Sequence, residues 1–250
     1  MLNSAAGRPV VVSTDTITLM TRSVDGWRRT GGLFDPTVHA ALVGLGYDRD
    51  LALVRAGTAA AVNHTGPAPG CAGIDVDPIT STVQLPPGVG IDPGGIGKGL
   101  APDLVAAELV AAGAAGCLVN IGGDLRALGH PPTDAGWVVT VPDPFRPGAE
   151  LLRAALSEGG VATSSRLERR WHTADREMHH LIDPFTGAPA DCDVAVVTVV
   201  AAQAWEAEVL VKAVAIGGAA GFDLLGGAAA VAVTTSGKRL SANAPAEVLR

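Results

Sequence analysis

The stretch Ile91-Asp92-Pro93-Gly94-Gly95-Ile96-Gly97-Lys98-Gly99 constrains this chain more than any other. Four glycines in nine residues let the backbone approach a ligand closely and take φ values closed to other residues. Leu100, Leu104, Val105 and Leu109 follow at helical spacing, so the loop feeds a helix that runs to about Ala112. Backbone N–H groups at a helix start, the positive end of its dipole and the Lys98 ammonium together suit an anion, and the loop reads as a phosphate cradle. It is not a P-loop, because Gly99 stands where the metal-binding hydroxyl belongs. Nor is it the dinucleotide fingerprint, whose last glycine interval is longer. The plainer alternative is a glycine-rich turn ahead of an ordinary core helix.

A chain of 250 residues with 48% hydrophobic and 17% charged residues can bury a sizeable core. Its formal charge of −7 argues against a nucleic-acid or anionic-membrane surface. Three scattered cysteines without a Cys-x-x-Cys pair argue against a disulfide framework and a thiolate metal site. No run reaches the ~18 apolar residues of a spanning helix, and the start carries no basic-then-apolar signal. The expectation is no transmembrane segment and, for the chain as given, a cytoplasmic location; a longer native start with a signal would make it exported or membrane-associated.

Ser13 is placed to cap a helix running to about Arg29, with Ile17, Met20 and Val24 on one face. Asp35-Pro36 opens a short helix that ends near Gly44-Leu45-Gly46-Tyr47, and residues 50–56 read as another. Residues 63–73 read as a surface loop, 79–85 as a strand, and Pro86-Pro87-Gly88 as a turn. Residues 117–121 read as a buried strand running into Gly122-Gly123-Asp124, and 137–141 and 159–165 as further strands. Residues 166–176 read as a charged exposed loop that could steer an acidic acceptor, with solvated surface charge the plainer reading. His179 to Asp183 reads as a strand entering a tight Asp-Pro-x-Thr-Gly turn, 194–201 as a strand, 204–216 and 222–225 as helices, and 229–234 as a strand. Strands and helices mix without strict alternation, which predicts a single α+β domain over residues 1–250.

The ordered set Phe34-Asp35-Pro36-Thr37-Val38, Asp92-x-Gly-Gly-Ile-Gly-Lys-Gly99, Val119-Asn-Ile-Gly-Gly-Asp124 and His180-x-x-Asp-Pro-x-Thr-Gly187 resembles the FAD:protein FMN transferase (ApbE) family. The strand–helix stretch 196–217 fits that family's closing motif, and the resemblance spans about residues 2–237. It implies a T-fold-like α+β domain that binds FAD. It also implies transfer of FMN through a phosphoester bond to a Ser or Thr of an acceptor flavoprotein bearing a flavinylation motif, with release of AMP and Mg2+ assisting. Carried over by position, His180 and Lys98 are the catalytic candidates. Leu45, Gly46, Tyr47, Asp92, Gly94, Gly95, Lys98, Asn120 and Ile182 are the cofactor-binding ones, with the Gly95 carbonyl and Glu208 as metal ligands. His179, pointing the other way on a strand, is assigned a structural role.

Two departures stand out. The family's closing helix carries Asp-x-x-x-Thr, both ligating metal, where this chain has Glu208 and Lys212. An ammonium cannot ligate, so Lys212 either replaces part of the metal's charge or forms an ordinary i,i+4 pair with Glu208. The chain also begins where Leu2-Asn3 matches, which predicts a domain lacking the family's N-terminal β-α stretch. The rival readings are an FAD pyrophosphatase, with water in the acceptor's place, and a non-catalytic FAD-binding protein.

Overall fold

In the computed structural model, residues 2–56, 66–173 and 177–244 are described. They divide into two compact units, residues 1–95 with 166–191 and residues 96–165 with 192–250, and each is described by itself.

The first unit opens with a short strand, Val10–Val11, at the edge of a three-stranded antiparallel sheet whose centre is Thr82–Gln84 and whose far strand is Asp75–Asp77. Helix Thr14–Arg29 starts where the sequence predicts, because the Ser13 side chain accepts from the Thr16 N–H and satisfies one orphan donor. Its apolar face packs Ile17 and Met20 against Val83 and Leu85. Asp35 caps the turn Pro36–Val38 by accepting from the Thr37 N–H at 2.8 Å. Short helices His39–Gly44 and Leu51–Ala56 follow. A second core gathers Leu42, Leu45 and Val54 around Trp171, Met178 and Ile182. That core corrects the reading of 166–176 as an exposed loop. Arg170–His172 is a strand paired with Glu177–His179, and Trp171 is buried with its indole N–H donating to the Leu45 carbonyl at 2.9 Å. Residues 174–176, and 63–65 of the predicted surface loop, lie outside the described residues.

The second unit is built on a six-stranded antiparallel sheet in the order Arg239–Ala242, Ala229–Thr234, Val194–Ala201, Gly159–Ser165, Asp124–Gly129, Gly116–Ile121. Gly116–Ile121 is therefore an edge strand with half-exposed positions, not the buried strand its apolar letters predict. It turns into Asp124–Gly129 through Gly122 and Gly123, both at positive φ, where other residues would be strained. A separate hairpin pairs Trp137–Pro142 with Glu150–Leu156. Two longer helices, Gly97–Ala111 and Ala204–Gly217, pack on the sheet and on each other, and the short helix Ala219–Asp223 follows. Among the described residues no helix is long and apolar enough to cross a membrane.

Helix Ala204–Gly217 is the centre of this unit, with positions 207–215 all buried. Its start is clamped: both oxygens of Asp103 accept from the Ala204 and Trp205 N–H groups, at 3.0 and 2.8 Å. The buried Arg126 guanidinium joins Asp103 to the Ala202 carbonyl and to Glu158. Two glycines make the clamp possible. A Cβ on Gly99 would lie 2.9 Å from the Trp205 Cα, and one on Gly160 would overlap the Ala204 backbone.

Candidate functional site

The glycine-rich loop does not use the φ freedom expected of its glycines. None of Gly94, Gly95, Gly97 or Gly99 takes a positive φ. Pro93–Gly95 is a 3-10 turn closed by the Asp92 side chain, which accepts from the Gly94 N–H at 2.7 Å. The Asp92 N–H in turn donates to the Pro36 carbonyl. Gly99 is required by the close approach of two helices, where a Cβ would run into the Ala204 carbonyl. What survives of the cradle is the helix start itself, which Ile96 leaves without a side-chain cap.

In the first unit the sequence-predicted residues fall into two roles. Leu45 and Ile182 are core residues, each 3% exposed. Gly46 takes φ +90 and ends the short helix, and Tyr47 lays its ring on Trp171 with centroids 5.1 Å apart and planes 18° from parallel. The half-buried Tyr47 is thereby held flat and rigid, which suits a planar ligand ring. His180 follows the strand Glu177–His179, its N–H donating to the Arg169 carbonyl. The turn after it closes on Asp183, whose carbonyl accepts from Gly187 N–H and whose side chain accepts from Phe185 N–H. His179 is buried as expected of a structural histidine. Burial, with Arg166 and Arg170 adding to it against Glu177 and an Ala190 backbone bond, pushes its pKa below the ordinary value. Cys71 is also buried, which together with the Asp35 charge pushes its thiol up to about 12 and leaves it inert.

In the second unit the structure brings Lys98, Glu208 and Lys212 together and joins to them Asp124 and Ser164, neither of which was among the residues expected to bind or catalyse. Lys98 Nζ bridges two buried carboxylates: it pairs closely with Asp124 and lies 3.1 Å from Glu208 Oε1. Glu208 Oε2 accepts from the Gly99 N–H at 2.7 Å, so the helix start and its dipole stabilise the anion. Lys212 Nζ is 3.6 Å from Glu208 Oε1 and donates to Ser164 Oγ at 2.9 Å. Asp124 Oδ1 accepts from the Thr163 N–H at 3.3 Å. Burial opposes the charge on Lys98, but Glu208 and Asp124 outweigh it and hold its pKa above the ordinary lysine value. The Lys98 side chain is 27% exposed while those of Asp124 and Glu208 are 1% and 0%, so Lys98 is the member that can meet a ligand. Asn120 is exposed, its side chain accepting from the Gly123 N–H and bracing the turn that carries Asp124. Asp124 directly follows the Gly122-Gly123 turn, and a carboxylate fixed at the end of such a turn is the signal by which it could have been found.

The donor set does not fit Mg2+ as it stands. Glu208 Oε2 accepts from a backbone N–H, Oε1 accepts no hydrogen bond but lies 3.1 and 3.6 Å from two ammonium groups, and position 212 offers a cation instead of a lone pair. Among the described residues, no three or more His, Cys, Asp or Glu are grouped to hold a metal ion.

Fold and site together define an α+β protein with a four-charge cluster buried at the start of a glycine-rich helix. The chain belongs to the ApbE family, whose model matches residues 1–234. It is similar to the FAD:protein FMN transferase of Treponema pallidum, 32% identical over 230 residues that cover 85% of this chain and 62% of that protein. A protein of the same name from Rhodobacter capsulatus is 30% identical over 190 residues, 74% of this chain and 35% of the relative. The chain thus spans less than two thirds of the length of these curated relatives. Among solved structures, the ApbE protein of Thermotoga maritima superposes with a TM-score of 0.84 at 27% identity, covering 100% of this chain and 82% of that one. The flavinyl transferase ApbE of Pseudomonas stutzeri, at 24% identity and a TM-score of 0.77, covers 98% of this chain and 78% of that one and supports the fold.

Proposed function

We propose that residues 1–250 act as one flavin transferase domain that moves FMN from FAD to a Ser or Thr hydroxyl of an acceptor flavoprotein. The acceptor oxygen attacks the phosphorus on the FMN side of the pyrophosphate. The bond from that phosphorus to the bridging oxygen breaks, and AMP leaves with the oxygen. His180 takes the hydroxyl proton as general base. Lys98 faces the developing charge on the phosphate oxygens, where fixed cations contribute most to phosphoryl transfer. Tyr47, backed by Trp171, carries the flavin ring, with Leu45, Gly46 and Ile182 shaping the wall around it. Asp92, Gly94, Gly95 and Asn120 complete the FAD contacts through the loop and turn they build. No step passes through a metal, because Glu208 already shares its carboxylate with two ammonium groups.

The observation that carries this reading is Lys98, held cationic and partly exposed at the start of the glycine-rich helix in a chain of the ApbE family. The test is incubation with FAD and an acceptor peptide bearing the Ser/Thr target motif, following AMP release and in-gel flavin fluorescence together. Both signals are expected, and His180→Ala abolishes both. AMP without flavin on the peptide identifies a pyrophosphatase instead, and FAD binding with neither signal identifies a binder.

A further inference from the structure

Lys212 sits among aliphatic residues on the most buried helix of the second unit, at 8% exposure. A buried ammonium is retained only where its charge is matched, and this one is matched by Glu208 one turn earlier, with Ser164 Oγ accepting one of its protons. The cluster holds two carboxylates, Asp124 and Glu208, and two ammonium groups, Lys98 and Lys212. Lys98 alone would leave it one positive charge short. If Lys98 were consumed in neutralising both acids, nothing would remain for an incoming anion. Lys212 supplies the missing charge from the buried side of Glu208, so two ammonium groups balance two carboxylates and Lys98, on the more exposed side, is not the sole cation neutralising both acids.

We propose that the Lys212 ammonium is a built-in cation that stands where the donor set would otherwise require a divalent metal, so that the chain binds a diphosphate-bearing nucleotide without one. Lys212 is a positioning residue: it acts through Glu208 and Lys98 and does not touch the ligand. The nucleotide part of this statement rests on the FAD reading above, whereas the metal part does not. A divalent ion placed beside Glu208 would meet two like charges, and only the loss of one of them opens the site.

Two measurements test this on the full chain. In the first, FAD is titrated calorimetrically in EDTA and in excess MgCl2. The unaltered chain keeps its affinity within about twofold between the two conditions, whereas Lys212→Thr loses roughly tenfold in EDTA and regains it with Mg2+. Lys212→Arg keeps the charge and stays metal-independent. In the second, Mn2+ alone is added and followed by electron paramagnetic resonance: Lys212→Thr takes up one ion and the unaltered chain takes up none. A tenfold Mg2+ dependence of the unaltered chain, or equal Mn2+ uptake by the two proteins, overturns the proposal. If FAD fails to bind in either condition, the flavin reading falls and the Mn2+ comparison still decides the metal part. If Lys212→Thr does not fold, the unaltered chain and Lys212→Arg decide it.

Discussion

Replacing Lys98 by Met keeps most of the side chain's packing volume and deletes its charge, which isolates the electrostatic role of the cluster. After the change Glu208 still has the Gly99 N–H and Lys212, whereas Asp124 keeps a single long bond from the Thr163 N–H. The uncompensated charge is therefore that of Asp124, whose side chain is 1% exposed. Removing one partner of a buried ion pair costs about 3–5 kcal/mol, and because Lys98 is 27% exposed the lower end applies, near 3 kcal/mol. For a chain of this size that corresponds to a fall in melting temperature of roughly 6–12 °C. Circular dichroism melts of Lys98→Met, Asp124→Asn and the double variant form a cycle. Asp124→Asn removes the orphaned charge, so the double variant recovers at least about 1 kcal/mol relative to Lys98→Met. A Lys98→Met loss below about 1 kcal/mol, or strict additivity in the cycle, refutes a buried charge cluster at this helix start.

Two further outcomes follow from packing and from titration. Gly99→Ala places a methyl 2.9 Å from the Trp205 Cα and against the Ala204 carbonyl, so the two helices must separate. The expected loss is about 1–3 kcal/mol in urea unfolding, and a neutral result would return Gly99 to the ligand-cradle role. His179 has its pKa pushed below 6.5 by burial, with Arg166 and Arg170 reinforcing, so the folded state favours the neutral ring. Its contribution to stability is complete above pH 6.5 and is lost as pH falls through 6.5 toward the lower folded-state value, since the unfolded chain takes the proton first. In urea titrations across that window, His179→Gln flattens the fall in midpoint, and an unchanged slope sinks the assignment.

What the sequence revealed and what it hid divide along one physical line. Local signals carried through: Ser13 caps Thr14–Arg29 because a cap is a bond between near neighbours, and Gly159–Ser165 and Ala229–Thr234 appear at the residues predicted. Whether a strand lies at an edge depends on sheet order, which no local pattern encodes, so Gly116–Ile121 read as buried. Asp124–Gly129 escaped notice for the complementary reason. Its Arg126 looks like a solvent residue, yet it is buried against Asp103, Glu158 and the Ala202 carbonyl, all supplied by other segments of the chain.

The same line runs through the site. Glu208 and Lys212 at i,i+4 are the letters of an exposed helical ion pair worth a few tenths of a kcal/mol. The fold buries both, and burial inverts the reading: a pair that would matter little in water becomes two of four charges linked through Lys98 and Glu208. Sequence spacing located those residues on one helix face. Only the closeness of Gly99 to Trp205, and of Lys98 to Asp124, makes them one electrostatic unit, and those contacts join segments about a hundred residues apart in the first case and 26 in the second.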